Sequence, residues 1–460
     1  MRQATTVSRR ALLLAGVGAG ATTVLAGGAA TLVGAGRAEA RPLAGPRAGA
    51  MTFLDLMMDA HPDGGDLRLP QSYSDQVGLY ATGFTYDAAL AILAYLADDR
   101  DTSEARAHRL GEALYYAQQH DPGYSDGRLR QAYNVGPYTR AGVEQPDGLV
   151  RPDGTVNIGG AYGFTGSGTG EHAWAGLALC ALHQRTGDGR MVGAAVRIAD
   201  WIGRVCRSDG PLGGFTDGVD RAGQPLRGVG TAHNADLVAF FGQLAAVTGD
   251  QGWLGQRDAA ARFVTAMWDP RDQIFHSGTA DGRTVDRAFT VLDAQTHSWL
   301  ALRDLDHVGC LDTVDRKLTV TDTAVRPNST LVGAQTVTGV TLSSGSRTAD
   351  PQTPIEPGLP RPDLDAVWLE GTAQYAAALR HSPLGALDTG TRLSALTAAQ
   401  ADLGVGQTVA DRRLPDDAGL IAASSPVHVG YVRSGYFPAR HVAATAWYVL
   451  AAAGVNPLAA

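Results

Sequence analysis

The chain has 460 residues, 44% of them hydrophobic, a formal net charge of −8 and a pI near 5.8. That is enough apolar material for a large core. An acidic chain with one lysine, Lys317, and no run of basic residues argues against nucleic acid or an anionic membrane surface as partner.

Residues 1–40 read as an address. Ser8-Arg9-Arg10-Ala11-Leu12-Leu13 sets twin arginines before a Gly/Ala-rich apolar run, and Ala38-Glu39-Ala40 offers a small-x-small cleavage site. This predicts twin-arginine export, an extracellular or cell-envelope location, and no membrane association after cleavage. Removing Arg2, Arg9, Arg10, Arg37 and Glu39, a net +3, takes the mature chain from −8 to −11. Residues 41–460 are expected to form one domain. Cys180, Cys206 and Cys310 contain no CxxC pair; Cys180 lies in the apolar run AGLALCAL and is expected as a buried thiol.

Two kinds of helix alternate along the chain. Met51 to Ala60 opens the series. Phe84 to Ala97 follows, its Ala88–Ala97 stretch apolar on every side, so it must be surrounded by other helices. Ser103 to Gln119 is amphipathic, with Leu110, Leu114 and Ala117 on one stripe, and is expected to have a wet outer face. Ala173 to Leu182 is again apolar all round and Met191 to Val205 one-sided; Leu237 to Val247 and Trp253 to Met267 repeat the pair. Further inner-type helices are predicted at Ala294 to Leu302, Val367 to Leu379 and Val442 to Ala453, with outer ones near Thr313 to Leu318 and Arg392 to Leu403. Short turns such as Thr186-Gly187-Asp188 and Thr248-Gly249-Asp250 join each pair, a weak internal repeat. Long Gly/Asp/Pro-rich segments separate the pairs, so one end of the molecule should carry the loops. Residues 319–362, rich in Thr and Val and then Pro, read as a small β excursion rather than a separate domain. The sum is an all-α ring of alternating inner and outer helices.

The chemistry-bearing residues gather where the inner helices begin. Tyr86-Asp87, Glu171-His172-Ala173-Trp174, His233-Asn234-Ala235-Asp236, Asp293 with His297 and Trp299, and Trp368 with Glu370 all fall within a turn or two of apolar helix. Acids at helix starts can simply cap exposed N–H groups. Glu370 fits that explanation least, because apolar residues flank it; a desolvated carboxyl there would have a raised pKa and could serve as a general acid. Trp174, Trp299 and Trp368 offer flat faces suited to sugar rings. Glu171, His172, His233, Asn234 and His297 are expected to hold hydroxyls. No metal is expected, since no HxH or HxxxH pair occurs, and no cofactor motif is present.

The stretches FTYDAALAILAYL, TGEHAWAGLAL, TAHNADLVAFF, LDAQTHSWLAL, VWLEGTAQYAAAL and ATAWYVLAAAGVNP together resemble the six-hairpin glycosidase-like proteins, the (α/α)6 barrels. The resemblance covers most of residues 51–458. It implies an (α/α)6 toroid and, from the superfamily, an exported glycoside hydrolase or a lyase acting on a poly- or oligosaccharide. Hydrolysis would use Glu370 as acid and Asp87, Asp293 or Asp236, in that order, as base. Tyr86 would join the tryptophans in stacking. A lyase would need a Tyr or His base and cationic side chains for a uronate, against a net charge of −11. A non-catalytic glycan-binding protein is the alternative from another class. Ala232 stands where a further acid would have strengthened the catalytic reading.

Overall fold

The structure, a computed structural model, describes residues 45–459 except 80, 99, 141–142, 146 and 159–162. The proposed leader therefore lies outside the described residues. Twelve α-helices are present among them: α1 (Pro46–Met58), α2 (Thr85–Leu96), α3 (Ser103–Gln119), α4 (Thr169–Thr186), α5 (Gly189–Val205), α6 (Thr231–Thr248), α7 (Gly252–Ala266), α8 (Leu292–Leu302), α9 (Gly309–Leu318), α10 (Leu369–Arg380), α11 (Gly385–Asp402) and α12 (Val442–Ala453).

The even-numbered helices form the inner ring. Each packs on the next, from α2 through α4, α6, α8 and α10 to α12, and α12 returns to α2. Each outer helix backs onto an inner one, α1 completing the series against α12. The reason is compositional. Every residue of α2 from Thr85 to Tyr95 is buried, so α2 has no face to offer water. In α3 the burial is confined to one side, including Ala107, Leu110, Leu114 and Ala117. At the tight-turn end Gly187 and Gly249 adopt φ of 72° and 71°, the left-handed conformation that ends a helix most cheaply in glycine. The threonine before each bonds back to the helix, Thr186 to the Leu182 carbonyl and Thr248 to that of Leu244.

At the other end the ring is closed by one device used six times. The residue before each inner helix is extended, and none of these helices has a side-chain cap. Instead the first helical N–H donates to a carbonyl of the next long loop at 3.0–3.1 Å: Thr85 to Gln131, Thr169 to Asp217, Thr231 to Ser277, Leu292 to Leu342, Leu369 to Ala422 and Val442 to Ser72. One orphan donor per helix is thereby satisfied by backbone. The last donation runs to the loop after α1, so the hydrogen bonding closes with the ring. The acids expected as possible caps are released from that task.

The β excursion is an antiparallel hairpin, Thr319–Thr323 against Thr336–Val340, with Thr321 opposite Thr338. All three cysteines are buried and free, and burial pushes the Cys180 and Cys206 thiols up to about 12. No helix among the described residues is long and apolar enough to cross a membrane.

Candidate functional site

A cavity of about 310 Å³ opens at the long-loop end, over the starts of α6 and α8. Its lining includes Tyr86, Trp174, His233, Asp236, Asp293 and His297, six of the residues singled out in the sequence. Tyr86 and Trp174 form the floor. Trp174 meets Tyr86 edge-on with centroids 5.6 Å apart and Trp447 at 5.4 Å, a plug of rings on the barrel axis.

Two Asp–His pairs stand in the wall. His297 Nδ1 lies 2.8 Å from Asp236 Oδ1, a contact between α8 and α6. His233 Nδ1 lies 2.7 Å from Asp217 Oδ1, and Asp217 also accepts the Gly230 N–H at 3.1 Å. A carboxylate on Nδ1 fixes the ring's orientation and favours the tautomer whose Nε2 is an acceptor. Asp293 precedes His297 by four residues on α8 and so shares its face. The lining also holds Asp217 and Asp286, both absent from the sequence expectation. Asp217 had a signal: Phe215-Thr216-Asp217-Gly218 and Phe275-His276-Ser277-Gly278 occupy equivalent loop positions, each glycine pairing with the residue before an inner helix.

Glu370 and Asp87, first choices for acid and base, lie outside the lining. Glu370 is 0% exposed. It accepts the Tyr86 hydroxyl at 2.9 Å and the Gln374 amide at 3.3 Å, and Tyr86 Oη in turn accepts the Trp447 indole N–H at 2.9 Å. His441 lies beyond, its Nδ1 3.8 Å from Glu370 Oε2 and its Nε2 3.3 Å from Asp87 Oδ2. Tyr73 stacks on His441 at 4.1 Å and seals the mouth of α12. Tyr86, which lines the cavity, links Glu370 to it.

Four expected ligand contacts are corrected by their partners. His172 receives the Leu129 N–H at Nε2 and bonds the Gly168 carbonyl through Nδ1, leaving neither nitrogen for a hydroxyl. Asn234 clamps both the N–H and the carbonyl of Phe215, as Gln295 clamps Phe275 in the next hairpin. Trp299 donates to the Ala378 carbonyl. Trp368 is fully buried against Tyr436 at 5.7 Å. Glu171 is also buried outside the lining. Among the described residues no group of three or more His, Cys, Asp or Glu is arranged to hold a metal ion.

No family model matches the sequence, and no curated protein matches it. Solved structures do. A sugar epimerase from a ruminal bacterium superposes with a TM-score of 0.52 at 11% identity over 88% of this chain and 99% of that one. A cellobiose 2-epimerase from Bacillus thermoamylovorans gives 0.53 at 10% identity over 88% and 98%. A family 76 glycoside hydrolase from a bovine Bacteroides thetaiotaomicron strain gives 0.50 at 11% identity over 88% and 77%. The fold is the (α/α)6 barrel; likeness at this level of identity is one of fold.

Proposed function

We propose that the protein is a carbohydrate-active enzyme that hydrolyses a glycosidic bond near the end of a short saccharide. The observation that supports this most is the Asp236–His297 pair on the cavity wall, with Asp293 one turn earlier on the same helix. Glycosidic cleavage needs one group to protonate the leaving oxygen and another to take a proton from water. In the proposed division Asp293 gives its proton to the glycosidic oxygen as that oxygen leaves the anomeric carbon. His297 takes a proton from water at Nε2 while the water oxygen attacks that carbon, and Asp236 stabilises the imidazolium that forms. Tyr86 lies beneath the sugar ring, whose C–H face suits an aromatic surface, and Trp174, 0% exposed, packs against Tyr86. A cavity of about 310 Å³ stands at the small end of ligand sites, which run from about 300 to 1,000 Å³, and suits one or two rings better than the middle of a polymer. The expected export of residues 1–40 would bring the enzyme to its substrate outside the cell, and sequencing of the secreted chain should then begin at Arg41.

A second reading, epimerisation at a sugar carbon, is favoured by one observation: two imidazoles, His233 and His297, each carry a carboxylate on Nδ1. One could withdraw a proton and the other return it. Digestion of an oligosaccharide panel in deuterium oxide separates the two. New reducing ends without deuterium at carbon support hydrolysis. Deuterium at a ring carbon without new ends replaces it with epimerisation. Neither product from any member would refute both.

A further inference from the structure

Donors and acceptors are unevenly divided around the cavity. Asp217, Asp236 and Asp286 line it beside Asp293, the proposed acid, and neither arginine nor lysine does so among the described residues. Both imidazoles point Nδ1 at a carboxylate, and a neutral imidazole so placed spends its single N–H there. His297 Nε2 has no protein partner although the ring is 3% exposed, and the residue borders the cavity. Tyr86 gives its only proton to Glu370 and already accepts from Trp447, so it too meets a ligand as an acceptor. The wall is thus rich in lone pairs and negative charge.

Such a wall repels a uronate, a sulfate or a phosphate, each of which brings more acceptors and more negative charge. Hydroxyls satisfy it one hydrogen bond at a time. An ammonium satisfies it better, with three donors and a positive charge in a partly enclosed space where Coulomb attraction is less screened than in water. We infer that the saccharide taken by this cavity is an amino sugar with a free, protonated amine. Asp286 is the residue to set that preference. It lies on the rim strand Val285–Asp286, paired with Gly278–Thr279 beside the start of α6, and has no part in the proposed proton transfers.

The inference rests on the saccharide reading, and the experiment separates the two. Binding of glucosamine, glucose, N-acetylglucosamine and glucuronate to the protein is measured calorimetrically at about pH 7, where an ordinary imidazole is mostly neutral and an amine mostly charged, at low and at physiological salt. Ethanolamine serves as a cation without a sugar. Glucosamine should bind about tenfold tighter than glucose or better, with glucuronate weakest, and salt should shrink the advantage. In Asp286→Asn the glucosamine-to-glucose ratio should fall by about threefold or more, with an unchanged melting temperature showing the fold intact. A smaller preference in the wild type, a ratio unaltered in the variant, or equal binding of glucuronate or N-acetylglucosamine overturns the inference while the saccharide reading stands. Ethanolamine binding as tightly as glucosamine overturns the saccharide reading instead. No binding by any of the five overturns both.

Discussion

Asp322 and Asp363 form a buried pair away from the cavity, and they set a pH limit on the fold. Asp322 is 0% exposed and accepts from Ser329, Ser424 and Ser425 hydroxyls at 2.7, 2.6 and 2.7 Å. Asp363, 2% exposed, accepts the Asp365 N–H at 2.9 Å, and its own N–H donates to the Pro426 carbonyl at 2.8 Å. The pair joins the β hairpin, the proline-rich loop and the segment leading to the hairpin of Val427–His428 and Gly435–Tyr436. Burial pushes the Asp363 carboxyl from 3.8 up to about 7; the charge of Asp322 and its hydrogen bond add to the rise, while the Asp365 N–H opposes it. The folded protein therefore holds a proton here that the unfolded chain releases. A carboxyl raised on folding contributes stability below its unfolded pKa and loses it as pH climbs to the folded one. At about 1.4 kcal/mol per unit, the ceiling is about 4 kcal/mol, lost between about pH 4 and 7. Asp363→Asn keeps a donor facing Asp322 at every pH. Urea unfolding followed by tryptophan fluorescence should find the variant close to wild type at pH 4 and more stable at pH 8. Its advantage should grow by about 1.4 kcal/mol per pH unit in between. A difference independent of pH, or a variant weaker at pH 8, would refute the shared proton.

The remaining predictions concern the site and the ring. In steady-state assays on a substrate found by the panel, Asp293→Asn should lower kcat/KM by about 10² to 10⁴. Glu370→Gln, which keeps an oxygen for Tyr86, should cost about tenfold less; the reverse order would return Glu370 to the reacting role. Asn234→Ala removes the bonds to Phe215 and Gly230 and should cost about 2–3 kcal/mol, with faster proteolysis in residues 207–230; an unchanged cleavage rate would contradict the clamp. A Cβ at Gly176 would lie 2.2 Å from the Phe240 ring, so Gly176→Ala should destabilise by about 1–3 kcal/mol in thermal unfolding. Full retention of the melting temperature would mean α4 and α6 are less tightly packed than described.

The ring was legible because its two helix types bury different amounts of themselves. AALAILAYLA has no polar face and cannot lie outside, while the Leu110, Leu114, Ala117 stripe of α3 has one and does. The helix starts were legible as polar clusters for the same reason. Their division of labour was not, because it depends on loops without period. The strands that roof the α10 and α12 starts are two residues long, Val427–His428 and Gly435–Tyr436, too short for any alternation to show. Asp217 comes to His233 from a glycine-rich loop sixteen residues upstream, a separation set by no helical or strand repeat.

The six mouths share one backbone design, yet they differ in cover, and cover decides which carboxyls border the cavity. At α10 and α12, Tyr436 packs on Trp368, and Tyr73 packs on His441. Glu370 and Asp87 are left behind aromatic rings, where two carboxyls, an imidazole and a phenol contact one another. Burying such groups costs several kcal/mol against an apolar core, so the network must contribute something packing does not. Tyr86 links that network to the cavity: its hydroxyl holds Glu370, and the residue lines the cavity. At α6 and α8 the starts open onto the cavity, which Asp236, Asp293 and His297 line together with Phe289 and Tyr431. The fold thus repeats one helix start six times and lets its loops choose which of the resulting acids border the cavity and which lie behind its floor.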